Sequence, residues 1–147
     1  MVMPPILIQV HLYSMTNAPV KISKRIPFDL CDPVGILFYG SIFTLVHQAL
    51  EEALPEIGIS WKEWFDSDIG APIRHVECDY LRPLKANDMA DIEVHFESPS
   101  DSSITVHYIV KKGETVCCDV KAVKVFVNRS TMTKASMPEK YKAIFDK

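Results

Sequence analysis

The sequence predicts an α+β domain in which one long helix lies against a strongly curved antiparallel sheet. Between Phe38 and Leu54 apolar residues recur at helical spacing: Phe43, Val46, Leu50 and Leu54 form a stripe that Ile42, Ala49 and Ala53 widen. After Gly70 the texture changes to strand-like runs separated by turn residues. An amphipathic helix and a sheet each carry one apolar face, and stacking them buries both. At 147 residues the economical reading is one domain, residues 1–147.

Taken in order, the opening stretch MVMPPILIQVHLYSM has an apolar patch but no positive lead and no small-residue cleavage site. Gln9 and His11 interrupt it, and it is shorter than a membrane span needs. Residues 1–19 therefore read as an arm or an extra strand. Val20 to Phe28 alternates apolar and polar residues as a strand does, and Pro27 and Pro33 bracket the bend that follows. The long helix comes next, punctuated by Pro55 and Gly58. Ser60 to Asp66 reads as one short helical piece, with Ser60 as cap and Glu63 at the capping-box spacing. The strands are Ile73 to Leu81, Ala90 to Glu97, Ile104 to Lys111 and Thr115 to Asn128, with Lys112-Gly113-Glu114 turning the last pair. Within the final strand, Val123, Val125 and Val127 alternate with Lys124 and Phe126, which predicts one wetter face. Pro138 to Phe145 reads as a terminal helix, with Ser136 as its cap.

Composition narrows the function. Apolar residues make up 48% and charged residues 24%, ordinary globular values, and a net charge of -3 gives no reason to expect nucleic acid or another polyanion as partner. Lys21, Lys24 and Arg25 read as a solvated strand face. The four cysteines, Cys31, Cys78, Cys117 and Cys118, lack C-x-x-C spacing and suit a reducing cytoplasmic compartment, without membrane insertion. The histidines His11, His75, His95 and His107 have no metal-site spacing. His75 reads as packed within a strand pair, and Tyr13, Trp61 and Trp64 as packing or rim residues.

The chemistry concentrates at the mouth of the long helix. First-turn amides lack intrahelical partners and carry a partial positive charge, so an oxyanion placed there is stabilised. With the helix starting near Tyr39, the Tyr39 and Gly40 N–H groups are candidate donors to a carbonyl oxygen. Asp32, in the turn Asp32-Pro33-Val34-Gly35, stands where a nucleophile or general base would be needed. Spacing alone allows a plainer reading of Asp32, since Asp before Pro commonly starts a turn. His47, about 12 Å along the helix from Tyr39 at 1.5 Å per residue, shares a face with Phe43 and Leu50 and reads equally as a satisfied core histidine. Cys31 adjoins Asp32, but no histidine is positioned by sequence to activate it.

The segment Leu30-Cys31-Asp32-Pro33-Val34-Gly35-Ile36-Leu37-Phe38-Tyr39 resembles the signature of hotdog-fold acyl-CoA thioesterases of the 4-hydroxybenzoyl-CoA thioesterase type, D-x-D-P-x-G-[IV]-[VL]-[FY]-[YF], with Leu30 at its first acidic position. The resemblance covers about Val20 to Val127. It implies a hotdog fold, Asp32 as catalytic carboxylate and the Tyr39 N–H, with Gly40 beside it, as the group polarising the thioester carbonyl. It also implies that His47, with Phe43, faces the acyl group. The stretches HQALEEAL and PIRHVECDYLRPL are similar to the 1,4-dihydroxy-2-naphthoyl-CoA thioesterase branch. Glu51, one turn beyond His47, is the reserve carboxylate, because related hotdog enzymes use a helix glutamate; otherwise it is a solvated or His47-paired residue, while Glu52 faces water. Arg82 and Lys85 are candidates for CoA phosphates.

These features imply hydrolysis of an aromatic acyl-CoA with no metal or redox cofactor, coenzyme A being part of the substrate. A short-chain acyl-CoA or acyl-carrier-protein thioesterase and a non-hydrolytic acyl-binding module stand as alternatives. The Asp-Pro-x-Gly segment argues against a hotdog dehydratase. Hotdog subunits generally pair edge to edge, which implies a homodimer or homotetramer.

Overall fold

The computed structural model describes residues 18–146. The arm proper, His11 and Tyr13 lie outside the described residues. A five-stranded antiparallel sheet has the order β1-β4-β5-β6-β3, from β1 (Val20–Arg25), β3 (Ile73–Tyr80), β4 (Met89–Glu97), β5 (Ser103–Lys112) and β6 (Thr115–Val125). A short pair joins β2 (Ile69–Gly70) to β7 (Val127–Asn128). Helix α1 (Ser41–Glu56) lies across one face of the large sheet, with α2 (Trp61–Phe65) and α3 (Glu139–Phe145) at its end. One long helix wrapped by a curved antiparallel sheet is the hotdog arrangement.

The core follows from two periodicities. Helix α1 buries Ile42, Leu45, Val46, Ala49, Leu50, Ala53 and Leu54 on one face. Strand β4 buries Ala90, Ile92 and Val94 at alternate positions, and β5 and β6 supply Ile104, Val106, Tyr108, Val120 and Ala122 to the same layer. Trp64 packs on Phe126 and Tyr141, with ring centroids 5.9 and 5.4 Å apart, and Phe145 stacks on Phe96 at 4.9 Å. The small helices thus close the core at one end. Trp61 is exposed at the rim.

Several boundaries shift for local reasons. The first strand stops at Arg25, and Phe28 to Leu30 form a 3-10 turn, because Pro27 has no N–H to continue a ladder. Helix α1 begins at Ser41 instead of Phe38; the Ser41 N–H donates to Phe38 O at 2.9 Å, making Phe38 to Gly40 an approach turn. The last predicted strand divides at Phe126, whose N–H donates to Ser102 O at 2.8 Å. The α2 capping box is formed in both directions, Glu63 N–H to Ser60 Oγ and Ser60 N–H to Glu63 Oε2. Ser136 does not cap α3: its hydroxyl donates to Asp101, and Pro138 occupies the cap position. Glu52 does not simply face water either, since it pairs with Lys24 at 2.8 Å across α1 and β1.

On the sheet face away from α1, His107 is buried between two carboxylates. Its Nδ1 lies 2.7 Å from Glu97 Oε1 and its Nε2 2.8 Å from Asp119 Oδ1. Register explains the meeting: His107 faces His95 across β4 and β5, and Asp119 lies diagonally across on β6. Burial opposes a charge on the ring, but the hydrogen bonds to Asp119 and Glu97 outweigh it and push the pKa up to about 9. The imidazole is therefore a doubly protonated cation at neutral pH, donating from both nitrogens.

Candidate functional site

The Asp32 turn is fixed from three sides. Gly35 N–H donates to Asp32 O at 2.9 Å and Asp32 N–H to Ile36 O at 2.8 Å, while Phe38 N–H reaches back to Leu30 O. Gly35 has φ +89°, a left-handed conformation in which a side chain would be strained. Leu37 N–H donates to Leu84 O and Ala86 N–H to Gly35 O, strapping the loop to the segment after β3.

The Asp32 side chain is half-buried, and its Oδ1 accepts from the amides of Val34 at 2.9 Å and Ile36 at 3.3 Å. That is the Asx-type turn the plainer reading anticipated. It occupies only one carboxylate oxygen; Oδ2 has no hydrogen-bond partner among the described residues.

Beyond this loop the chain enters α1 with no side-chain cap. Among the described residues the Tyr39 and Gly40 N–H groups have no acceptor. They stand at the positive end of the α1 dipole, available to a ligand oxygen. A Cβ at Gly40 would sit 3.1 Å from the Phe38 ring, so a larger residue there would have to push that exposed ring aside. The Tyr80 hydroxyl donates to Tyr39 O at 2.5 Å and ties the end of β3 to the helix mouth.

The Tyr80 bond links the mouth to β3, and His47 shares a cavity with Ile73. Phe43, His47 and Glu51 follow each other at four-residue steps on one flank of α1. Phe43 is half-buried against the core edge. His47 is exposed, which corrects its placement on the buried stripe: the helical period centres burial on Ile42, Val46, Ala49 and Ala53, and His47 falls at the border. Its ring stands edge-on to Phe65, with centroids 5.9 Å apart. Glu51 is exposed and makes no hydrogen bond to His47. His75, expected inside a strand pair, is exposed as well, because β3 is an edge strand with one unpaired side.

His47 opens onto a cavity of about 450 Å³ whose walls include Trp64, Phe65, Ile73 and Val127. Lys124 also lines it, only 4% exposed, with its Nζ 3.4 Å from Ala71 O. Burial pushes the Lys124 pKa down to about 8. Burial, followed by the nearby Lys124 charge, also lowers that of His47, with Glu51 acting against the shift. The alternation through Lys124, Val125 and Phe126 is present, and the wetter face is that of Val123 and Val125. Lys124 shares its parity with Val120, Ala122 and Phe126, which all face α1, while Val123 and Val125 lie on the half-exposed side. That shared parity was the signal that could have found Lys124.

A second cavity, about 260 Å³, lies beside the Asp32 loop between Ile36, Tyr80, Arg82 and Cys118. Arg82 is exposed there and one guanidinium N–H donates to Leu81 O. Lys85 is exposed and bridges to Ile36 through backbone, one residue from the turn. The structure thus ties the Asp32 turn to Lys85 through Ile36 and ties Tyr39 to Tyr80, which shares the smaller cavity with Ile36 and Arg82, while His47 lines the larger cavity. Asp32 does not line that cavity. Among the described residues no group of three or more His, Cys, Asp or Glu is placed to hold a metal ion.

Comparison with known proteins gives a consistent family. The model of the thioesterase-like superfamily matches residues 26–145. The 1,4-dihydroxy-2-naphthoyl-CoA hydrolase of Microcystis aeruginosa is 26% identical over 112 residues, 76% of this chain and 81% of that one. The solved 1,4-dihydroxy-2-naphthoyl-CoA thioesterase of Synechocystis has a TM-score of 0.78 at 16% identity, over 86% of this chain and 94% of that chain. A gentisyl-coenzyme A thioesterase gives 0.77 at 24% identity, over 85% and 98%. At these identities the two solved structures bear on the fold alone.

Proposed function

The chain belongs to the thioesterase-like superfamily, and on that premise we propose that it hydrolyses an aromatic acyl-CoA thioester. One observation carries the reading: a turn that holds a half-buried carboxylate, one oxygen of which has no partner among the described residues, leads within seven residues to unbonded amides at the mouth of α1. The thioester carbonyl oxygen would accept from Tyr39 N–H and Gly40 N–H, which stabilise the charge that develops as the carbon becomes tetrahedral. Asp32 either attacks that carbon or takes a proton from an attacking water. The C–S bond then breaks, CoA leaves as thiol, and water supplies the oxygen of the released acid.

Geometry favours a ring-sized acyl group. From Ser41, where α1 begins, His47 lies about 9 Å along the axis, the span of a substituted aromatic ring with a hydrogen bond of about 3 Å at its far end. Phe43 would pack along it and His47 would meet its far substituent. Arg82 and Lys85 flank the loop on the side where a CoA phosphate would approach. The relatives' activity toward a dihydroxynaphthoyl-CoA supports the same substrate class. No metal or redox cofactor is needed for this chemistry.

A CoA-release assay with a thiol-reactive dye, run over aryl, short-chain and long-chain CoA esters, tests the reading. Fastest turnover is expected with hydroxylated aryl esters. Binding of acyl-CoA with no thiol release from any ester would favour the non-hydrolytic module instead.

The same reading extends to assembly and compartment. Among the described residues strand β3 has one unpaired edge and exposes Ile73, Val76 and Tyr80, and Ile73 lines the same cavity as His47. An edge of this kind invites strand pairing, and a second copy added there would roof that cavity. The protein is therefore expected to elute from size-exclusion chromatography as a dimer or tetramer at micromolar concentration; elution as a monomer would contradict it. Four free thiols suit a reducing cytoplasmic setting, and among the described residues no helix is long and apolar enough to cross a membrane.

A further inference from the structure

We propose that Lys124 determines acyl-group specificity, by holding a carboxylate or phenolic oxygen at the end of the acyl group remote from the thioester. The inference rests on the thioesterase reading for the placement of the acyl group, and adds the chemistry of its far end.

A buried ammonium is costly unless it is paired. Lys124 is almost fully enclosed on the α1-facing side of β6, yet no carboxylate among the described residues lies within 4 Å of its Nζ. Among the described residues its one hydrogen bond is to Ala71 O, 3.4 Å away, which occupies one of its three N–H donors. Lys124 lines the 450 Å³ cavity, a space large enough for a ring.

The other polar side chains around that cavity point to the same ligand charge. They are His47 and Arg129, and the lining contains neither Asp nor Glu. Arg129 is anchored at the rim by its Nε–H, which donates to Ser67 O at 2.6 Å, and its guanidinium lies over Gly70. Glu51 is near His47 in the helix but does not line the cavity. Apolar walls from Trp64, Phe65, Ile73 and Val127 surround these donors. An unsubstituted aryl group would fill the walls and leave the ammonium unpaired. A ring ending in an oxyanion fills them and pairs it.

Non-hydrolysable thioethers separate this inference from the catalytic one. S-phenacyl-CoA, S-(4-hydroxyphenacyl)-CoA and S-(4-carboxyphenacyl)-CoA present the same ring with three different ends, and their affinities are measured by calorimetry. The wild-type protein is expected to bind at least one oxygen-bearing analogue tenfold or more tightly than the phenacyl compound. Which of the two gains identifies the phenol or the carboxylate as the preferred end. In Lys124→Met that ratio should fall to threefold or less. Equal affinity of all three for the wild type, no binding of any, or a preference that survives in Lys124→Met each overturns the proposal. The wild-type comparison stands by itself should the variant fail to fold. Because the analogues have no scissile thioester, selectivity without turnover would sink the hydrolase reading and keep this one. Turnover without selectivity would do the reverse.

Discussion

Asn in place of Asp32 is expected to lower the rate of CoA release by roughly 10²–10⁴-fold, the range a positioned acid–base group contributes, with thermal stability close to that of the wild type. The fold should survive because the side chain's structural work is done by one oxygen. Asp32 Oδ1 accepts from the amides of Val34 and Ile36, and an Asn amide oxygen accepts the same two bonds. What the substitution removes is the negative charge and the second oxygen's ability to attack carbon or take a proton. The comparison that gives the result meaning is Glu51→Gln. Glu51 lies ten residues past Ser41, the first residue of α1, about 15 Å along the axis, and is exposed. A carboxylate so placed is out of reach of a carbonyl held at the helix mouth, so Glu51→Gln should leave the rate within a few-fold. Near-normal CoA release by Asp32→Asn, or collapse in Glu51→Gln, would transfer the catalytic role away from the Asp32 turn. Circular dichroism and melting of both variants keep a folding defect from being mistaken for a chemical one.

How far the sequence discloses this arrangement depends on the range of the interactions involved. The capping box of α2, the Lys112-Gly113-Glu114 hairpin turn and the apolar stripe of α1 are local, and each is legible because every partner lies within a few residues. The Asp32 turn is legible for the same reason, and its glycine carries the positive φ that the turn demands. His47 was misplaced by a small angular error, since on a helix one position separates a buried stripe from its border. Lys124 escaped because a charged residue in an alternating strand is ordinarily assigned to water; only the parity it shares with Val120, Ala122 and Phe126 argues otherwise. The meeting of Glu97, His107 and Asp119 is set by cross-strand register, which no linear spacing displays. The exposure of β3 likewise follows from the strand order, which places it at the sheet edge after β6.

That cross-strand cluster supports the second large effect: His107→Leu should destabilise the fold by about 3–5 kcal/mol, the usual consequence of removing one partner from a buried ion pair. Glu97 and Asp119 would both lose their donor while remaining buried, and Asp119 Oδ2 already has no hydrogen-bond partner among the described residues. His95 adds no second hydrogen bond, since its Nε2 lies 3.4 Å from Glu93 instead. Removing all three charges together, with Glu97→Leu and Asp119→Leu added, should recover much of the loss, because a well-packed apolar cluster need not repay any desolvation. The pH dependence has a definite sign. With a folded pKa of about 9 against about 6.5 for an unfolded histidine, the cation contributes fully below about pH 6.5. Its contribution, roughly 3 kcal/mol, is lost as pH rises through about 9. Wild-type melting temperature should therefore decline across that interval more steeply than that of the triple variant. Parallel curves for the two proteins, or a His107→Leu variant as stable as the wild type, would mean that the imidazole is not the charged centre of the cluster.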